Sequence, residues 1–353
     1  MKTGNKGEWS EVYTLFRLIA DKNLVMKNGK VLPIVKVIRK DGDNLLEYSY
    51  DDTSAFVYIK KNQIPVTKIA LVEFENEANF LLNELRLKSS ASFEIPQTEA
   101  FMNKISCYNL RAQSSDKKDI SLVIHDNMAG DTELGFSIKS QLGNPSTLLN
   151  ASKATNFIYK LNNSLFSRAD YENINAIDSK NKIKDRLKAI EAINGKIAFH
   201  QTENSVFQNN LILIDSSLPL IIAELLLLFF STDSVKVADL ISDLEVNNPA
   251  KYDFKYRHPF YTYKIKRFLT DVALGMMPSK VWTGNFDATG GYLVVNKSGD
   301  LDCYHIYNRN EFEDYLLENT RFETASSTKH DFGLIFEQNG DLFFKLNLQI
   351  RFL

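Results

Sequence analysis

Three side chains that could together catalyse phosphodiester hydrolysis lie on two neighbouring segments that are predicted to be strands. The segments are ISLVIHD at residues 120–126 and LGFSIKS at residues 134–140, and the connector NMAGDTE contains Gly and polar turn-forming residues. A β-hairpin is therefore predicted. Because side chains alternate along a strand, Ser137 and Lys139 share one face. We expect the hairpin to bring Asp126, at the end of the first strand, close to both.

A carboxylate, an ammonium and a hydroxyl held on rigid strands are the groups that phosphodiester hydrolysis needs. The acid can hold a hard divalent cation such as Mg²⁺, which polarises the scissile phosphate. The lysine can orient the attacking water and offset charge that develops on the phosphate. We therefore predict a catalytic set of Asp126, Ser137 and Lys139, with Asp126 as a metal ligand. Asp131 is a competing ligand, but it falls within the predicted turn and close in sequence to Ser137.

The order of these residues resembles the PD-(D/E)xK nuclease fold, in which Asp, a second acid and Lys follow on successive strands. Ser137 stands where that pattern has the second acid, and one carboxylate alone is a weak magnesium site. The resemblance to variant members of the fold implies that another element supplies the missing acid. Glu8, near the start of the first predicted helix, is the candidate catalytic residue and second metal ligand, and Glu11 remains an alternative. The competing interpretation of Glu8 is a helix-start acid favoured by the helix dipole.

Two polar segments are candidates for DNA contact. Amide, hydroxyl and lysine side chains bind base edges and phosphates. Within the segment 141–156, we expect DNA contacts from Gln141, Asn150, Ser152, Lys153, Thr155 and Asn156. We predict a helix over residues 147–161, and the resemblance to the nuclease fold implies that it lies along the DNA. The second segment, SSTKH at residues 326–330, adds Lys329 and His330. The alternatives are a polar turn with a helix cap, and a simple polar loop.

The wider pattern predicts a mixed α/β protein of the α+β class, with a PD-(D/E)xK-like sheet flanked by helices. The elements expected from periodicity are a helix at 8–20, antiparallel strands between 31 and 74, a helix at 76–87, a mostly helical stretch at 181–246 and strands from 291 onward. We expect a nuclease core with a β-rich insertion at residues 1–170 and a DNA-binding, helical then β-rich region at 171–353, with a soft boundary.

Composition limits the functional classes. The net charge is only −2, so DNA binding would depend on local basic patches. Two are present, KNKIKDRLK at 180–188 and KYDFKYRHPFYTYKIKR at 251–267, and solvated surface is the alternative for each. The chain has two cysteines and no CxxC pair, as in a protein of the reducing cytoplasm. The apolar stretch at 218–230 is too short to span a bilayer and predicts a buried core helix.

Several blocks along the chain resemble the HpaII family of type II restriction endonucleases. They include GNKGEWSEVYTLFRLI near the start, LGFSIKSQLGNPSTLLNASKATNF, NLILIDSSLPLIIAELLL and PSKVWTGNFDATGGYLVVNKSGDLDCYHIYN. The resemblance implies a Mg²⁺-dependent enzyme that cuts double-stranded DNA, paired in its cell with a DNA methyltransferase. The family's name-giving member recognises CCGG, which we carry over as a hypothesis. A palindromic site also favours a homodimer.

Two other functions remain open from the residues themselves. One is a sequence-specific DNA-binding protein in which Ser137 marks a degenerate, non-cleaving core. The other is a nuclease of the same fold with a different task, such as DNA repair or RNA cleavage.

Overall fold

The computed structural model describes residues 1–50, 55–112, 117–126, 130–161 and 167–353, and for Asp126 it describes the backbone alone. The helices are α1 (Lys6–Asp21), α2 (Leu71–Leu87), α3 (Pro96–Lys104), α4 (Arg168–Asn175), α5 (Lys182–Ala192), α6 (Ser205–Ile214), α7 (Leu218–Ser231), α8 (Val237–Asn247), α9 (Phe260–Leu274), α10 (Arg309–Glu318) and α11 (Ser327–His330). The strands are β1 (Thr3–Gly4), β2 (Asn23–Val25), β3 (Val31–Asp41), β4 (Asn44–Tyr50), β5 (Phe56–Lys61), β6 (Ile64–Ala70), β7 (Phe93–Glu94), β8 (Ile120–Asp126), β9 (Gly130–Ser140), β10 (Thr147–Leu149), β11 (Asn156–Leu161), β12 (Ile197–Thr202), β13 (Gly291–Val295), β14 (Leu301–His305), β15 (Thr320–Phe322), β16 (Ile335–Gln338), β17 (Asp341–Asn347) and β18 (Ile350–Phe352). The α+β class is confirmed.

The chain divides into two compact units, and neither is continuous in sequence. Unit 1 contains Met1–Ser146 and Phe286–Phe312, and unit 2 contains Thr147–Asn285 and Glu313–Leu353. The chain returns to unit 1 because β13 pairs in parallel with β9, opposite Ser137 and Lys139. This division differs from a single boundary at residue 170, because the pairing of β13 with β9 joins segments that are far apart in sequence.

Unit 1 is built on a nine-stranded sheet with the order β14-β13-β9-β8-β3-β4-β5-β6, and β2 pairs with β3. Helix α1 begins with a capping box in which the Asn5 side chain accepts from the Glu8 amide and the Glu8 side chain accepts from the Asn5 amide. Trp9, Val12 and Phe16 recur at helical spacing and are fully buried in the core of this unit. The helix at 8–20 and the antiparallel strands from residue 31 are confirmed, but the strand predicted to reach residue 74 ends at Ala70, because Leu71 begins α2.

Unit 2 contains a four-stranded sheet, β12-β11-β17-β16, a three-stranded sheet, β10-β18-β15, and most of the helices. The helix predicted over residues 147–161 is wrong. Those residues form β10, one 3-10 turn and β11. In β11 the buried Phe157, Tyr159 and Leu161 follow the two-residue period of a strand, and hydrogen bonds to β12 and β17 override the helical interpretation.

The apolar stretch at 218–230 forms α7, whose Leu218, Ile221 and Leu225 are fully buried, as predicted for a core helix. Among the described residues no single helix has the length and apolarity to cross a membrane. Helices α6 and α7 meet that test only as a pair, with a bend of 108° between them.

Candidate active site

A chain of hydrogen bonds joins three polar side chains at the end of the β8–β9 hairpin. Lys139 Nζ donates to Ser137 Oγ at 3.0 Å, and Ser137 Oγ donates to Asp119 Oδ2 at 3.1 Å. The same carboxylate oxygen accepts from the Ile138 amide at 2.6 Å. Ser137 and Lys139 lie on β9, with Ser137 buried within the sheet, and Asp119 directly precedes β8.

The hairpin register explains why Asp119 lies beside Ser137. Ile120 is paired with Phe136, and the Asp119 amide donates to the Phe136 carbonyl at 2.8 Å. Asp119 therefore lies across from Ser137 at the open end of the hairpin. On the other side of β9, Tyr292 of β13 is paired with Ser137. The Lys139 ammonium lies 5.0 Å from the centre of the Tyr292 ring, within the range of a cation–π contact.

Glu11 of α1 contributes a second carboxylate. Its Oε2 accepts a hydrogen bond from the Ala112 amide at 2.9 Å. Burial raises the pKa of Glu11 to about 8, and the negative charge of Asp119 adds to the rise, while Arg39, the Ala112 amide and Lys139 act in the opposite direction. Two carboxylates that interact unfavourably in a poorly hydrated place are a set that a divalent cation would stabilise.

The segment that carries Ala112 is fixed by two buried charged residues of β3. Arg39 donates to the carbonyls of Asn109 at 3.0 Å and Leu110 at 2.7 Å. Asp41 accepts from the amides of Tyr108 at 2.8 Å and Asn109 at 2.7 Å. Because both side chains bind backbone groups, the segment just before Ala112 is set by the sheet, and with it the amide that holds Glu11.

The sequence DATGG at residues 287–291 lies beside β9. Gly135 donates its amide to Thr289 Oγ1 at 3.1 Å and accepts from the Gly290 amide at 2.7 Å. A Cβ on Gly290 would lie 2.4 Å from the Phe136 ring, so this close approach needs glycine. Asp287 also accepts from the Lys117 amide at 3.3 Å. Burial lowers the pKa of Lys117 to about 8, and the positive charge of Lys139 contributes.

Asp126 does not lie where the sequence predicted. It is paired with Gly130, at the opposite end of β9 from Ser137. Seven residues of strand at ~3.3 Å each separate Gly130 from Ser137 by about 23 Å. The predicted proximity of Asp126 to Ser137 and Lys139 is wrong, because β9 begins at Gly130 and the hairpin connection is much shorter than the predicted 127–133. The Asp126 side chain lies outside the described residues. Asp131 is distant from Ser137 for the same reason, and it pairs with His125 at 2.8 Å.

Glu8 is used at the start of α1 rather than beside Asp119. Its Oε2 accepts from the Asn5 amide at 2.9 Å in the capping box, and its Oε1 lies 3.6 Å from Arg111. This matches the helix-start interpretation of Glu8. The alternative acid, Glu11, lies three residues further along the same helix and is the one that interacts with Asp119.

Asp119 is the acid that sequence reasoning missed. It stands directly before β8, outside the alternating pattern that defined the strand. A signal was available in the length of the hairpin, since a tight connection places residue 119 across from residue 137. Among the described residues no group of three or more His, Cys, Asp and Glu side chains is arranged to hold a metal. The two carboxylates whose charges interact at this position are Glu11 and Asp119.

Comparison with known proteins identifies the family of the chain. The family model of the HpaII restriction endonuclease matches residues 5–352. The chain belongs to the HpaII restriction endonuclease family. It is 45% identical over 359 residues to the type II restriction enzyme HpaII of Haemophilus parainfluenzae, with 99% of each chain covered. No solved structure matches it. The resemblance drawn from the sequence blocks is confirmed, and with it the assignment of the protein as a type II restriction endonuclease, a hydrolase acting on DNA.

The residues predicted to contact DNA in this family member fall into two groups. Four are at the surface, namely Gln141, Asn150, Lys153 and Lys329, and Ser152 and His330 are half-buried. Thr155 and Asn156 are fully buried. Asn156 donates to Glu203 at 2.6 Å and to the His330 carbonyl at 2.8 Å, and Thr155 Oγ1 accepts from Asn347 at 3.2 Å.

The burial of Thr155 and Asn156 contradicts their predicted place on a DNA-facing helix, because their polar groups are used inside unit 2. The same network brings the two candidate DNA segments together. Besides the bond from Asn156 to the His330 carbonyl, Lys153 Nζ lies 3.7 Å from the carboxylate of Asp331, the residue after His330. The exposed Lys153 and Lys329 therefore belong to one region of unit 2.

Proposed function

We propose that this endonuclease uses Mg²⁺ to cut double-stranded DNA at a short palindrome, CCGG. It would act in the cytoplasm, as part of a restriction-modification system with a DNA methyltransferase. The observation that carries the catalytic part is the hydrogen-bonded chain from Lys139 through Ser137 to Asp119, with Glu11 beside it. The recognition sequence is carried over from the family's name-giving member. A palindromic substrate would suit a homodimer, in which each copy cuts one strand.

Glu11 and Asp119 are the residues that would hold the metal ion. The donor set fits, because Mg²⁺ prefers carboxylate oxygens and usually keeps several waters when one or two carboxylates bind it. Burial is the main cause of the raised pKa of Glu11 and the charge of Asp119 adds to it; a bound cation would favour the ionised carboxylates against both effects, which further supports this assignment. A bound Mg²⁺ would polarise the scissile phosphate and lower the pKa of bound water.

Besides a bound metal ion, the side chain of Lys139 would supply positive charge at this site. Its ammonium is directed by Ser137 Oγ and by the face of the Tyr292 ring. Held in this way, it can neutralise charge on a phosphate oxygen and orient the attacking water without reorganising during the reaction. The buried positions of Ser137 and Tyr292 fix the direction of its approach.

We assign Asp119, Ser137 and Lys139 as a PD-(D/E)xK-type motif in which Ser137 stands at the position of the second acid. Glu11 on α1 would supply that acid from another element. A serine at this position both donates and accepts. Ser137 therefore links Asp119 to Lys139 by hydrogen bonds. A carboxylate at position 137 would be repelled by Asp119 and would make this link less well. The assignment replaces Asp126 and Glu8 by Asp119 and Glu11 as the acids of the site.

The test is cleavage of an unmethylated plasmid by purified protein in Mg²⁺ and in EDTA, comparing the wild type with Asp119→Asn and Asp126→Asn. We expect discrete fragments in Mg²⁺, none in EDTA, loss of cutting in Asp119→Asn and retained cutting in Asp126→Asn. The fragment ends give the recognition sequence. A wild type that binds DNA equally well with and without metal and never cuts would support a non-cleaving DNA-binding protein instead. Loss of cutting in Asp126→Asn alone would mean that Asp126 is the essential acid.

A further inference from the structure

The loop between α8 and α9, residues 248–259, presents aromatic and basic side chains at the surface of unit 2. Tyr256 is 71% exposed and Phe254 is 36% exposed. Lys251, Lys255, Arg257 and His258 are exposed as well. Large aromatic side chains left in solvent next to several cations are unusual on a protein that has no partner there.

Only the first part of the basic stretch at 251–267 remains available to a ligand. In α9, Lys264 pairs with Asp215 and Lys266 pairs with Asp314, so internal carboxylates neutralise these charges. Among the ion pairs of the part of the chain that the structure describes, none involves Lys251, Lys255 or Arg257. Their charges face solvent, against the single carboxylate of Asp253 within the loop. The loop therefore complements a polyanion.

The backbone of the loop is fixed by hydrogen bonds at its base. Asn248 donates to the Tyr252 carbonyl and accepts from the Tyr252 amide, each at 2.9 Å. Tyr261 donates to Asn248 Oδ1 at 2.8 Å and accepts from the Ala250 amide at 3.0 Å. These contacts tie the loop to the first turn of α9. The loop does not need to be ordered when it binds, which lowers the entropic cost of association.

A chain of ring contacts leads from Phe260, at the start of α9, to the tip of the loop. Tyr252 stacks on Phe260 with centroids 4.6 Å apart, and Phe260 contacts His258 at 5.5 Å. His258 in turn contacts Tyr256 at 6.3 Å, and Lys255 Nζ lies 5.1 Å from the centre of the Tyr256 ring. Tyr256 is thus mostly exposed while it contacts His258 and Lys255, so an aromatic ring and a cation lie together at the surface.

We propose that the α8–α9 loop is a second DNA-contacting element, in which Lys251, Lys255 and Arg257 bind backbone phosphates while Tyr256 packs against the sugars or base edges of a groove. The combination of cations for phosphates with an aromatic face for bases is the chemistry of nucleic-acid recognition. The proposal rests on the proposed function, since it takes duplex DNA as the ligand. It adds a DNA contact in unit 2 that is separate from the residues at 141–156 and 329–330.

The experiment measures the affinity of the full chain for fluorescent 20-bp duplexes, one with CCGG and one without, in Ca²⁺ and at several salt concentrations. The charge variant is Lys251→Gln, Lys255→Gln and Arg257→Gln together. Each phosphate contact contributes about 0.9 to the slope of log affinity against log salt, so we expect the slope to fall by about 2–3. The matched control is Lys60→Gln, Lys196→Gln and Lys297→Gln together, which removes the same charge from exposed lysines outside the loop.

The aromatic part is tested with Tyr256→Ala beside Tyr256→Phe. We expect Tyr256→Ala to weaken binding by about fivefold, because the variant loses the apolar area that the ring would bury against the duplex, and Tyr256→Phe to bind like the wild type. Because Tyr256 is mostly exposed, neither change should affect folding, which thermal unfolding verifies.

Equal affinity and equal salt slope for the loop variants and the lysine control would overturn the proposal while leaving wild-type cleavage, and so the proposed function, intact. Loop variants that alter the oligomeric state in sedimentation but bind DNA normally would overturn it in favour of a protein contact. A wild type that binds neither duplex would overturn the proposed function and this inference with it.

Discussion

Ser137 Oγ accepts a hydrogen bond from Lys139 Nζ at 3.0 Å, two residues further along the same strand. The same hydroxyl donates to Asp119 at 3.1 Å, so it couples the proposed catalytic cation to the carboxylate that would bind the metal ion. A serine in a position where an acid is expected is therefore compatible with an active nuclease.

Replacement of Ser137 by Ala should slow cleavage without unfolding the protein. The variant loses the group that directs Lys139 and one hydrogen bond to Asp119, and a misplacement of about 1 Å at a catalytic group can lower the rate about 100-fold. Single-turnover cleavage measures the effect. The control is Ser121→Ala, which removes another buried serine hydroxyl of the same sheet and should retain the wild-type rate. A similar loss in both variants would indicate a packing effect instead.

Replacement of Glu11 by Gln should abolish Mg²⁺-dependent cleavage and also raise the melting temperature in EDTA. A metal ligand contributes several kcal/mol to the transition state, so a loss of about 1000-fold is expected. Stability rises because the pKa of Glu11 is raised to about 8 in the fold. Between an unfolded pKa of ~4.3 and the folded value, ionisation of Glu11 opposes folding, and the amide removes that cost.

The matched variant is Glu8→Gln, on the same helix. Glutamine serves at this position of a capping box, so we expect cleavage and thermal stability close to those of the wild type. Cleavage lost in Glu8→Gln and retained in Glu11→Gln would reverse the assignment of the two acids.

Replacement of Tyr292 by Leu should lower kcat and leave KM nearly unchanged. The ring face lies 5.0 Å from the Lys139 ammonium, and a desolvated cation–π contact is worth about 1–2 kcal/mol, or roughly 5–30-fold in rate. Tyr292→Phe retains the ring and should keep most of the activity. Steady-state kinetics on a duplex oligonucleotide distinguishes the two. Equal kcat in the Leu and Phe variants would show that the ring does not position Lys139.

His305 should make the stability of the protein sensitive to acid. It is buried, its Nδ1 accepts from the Tyr307 amide at 3.1 Å, and burial lowers its pKa to about 4. The unfolded histidine titrates near ~6.5, so the unfolded chain binds the proton more tightly. The contribution of neutral His305 is fully present above pH ~6.5 and is lost as the pH falls toward 4, by up to about 3 kcal/mol.

The measurement is urea unfolding between pH 4 and pH 7.5 for the wild type and His305→Asn, whose side-chain oxygen can still accept from the Tyr307 amide. The free energy of unfolding should fall less steeply with acid in the variant. Parallel curves for the two proteins would show that His305 does not cause the acid sensitivity.

The sequence by itself determined the class of protein and predicted the strand that carries Ser137 and Lys139. Local periodicity predicted α1 and the existence of β3, β4 and β5, and several sequence blocks along the chain indicated the family. Ser137 and Lys139 were identified because they share one face of a strand, which is a property of adjacent residues. These features depend on interactions within a few residues, so they can be read from the order of side chains alone.

Only the tertiary structure decided which acids accompany Lys139. The hairpin register, set by where β9 begins, placed Asp119 rather than Asp126 across from Ser137. The choice between Glu8 and Glu11 depended on the face that α1 turns towards Asp119 and on the capping box that uses Glu8. The strand at 156–161 likewise formed because two partner strands pair with it. Each of these outcomes depends on contacts between residues far apart in the chain, and strand register and helix orientation follow from such contacts rather than from local propensity.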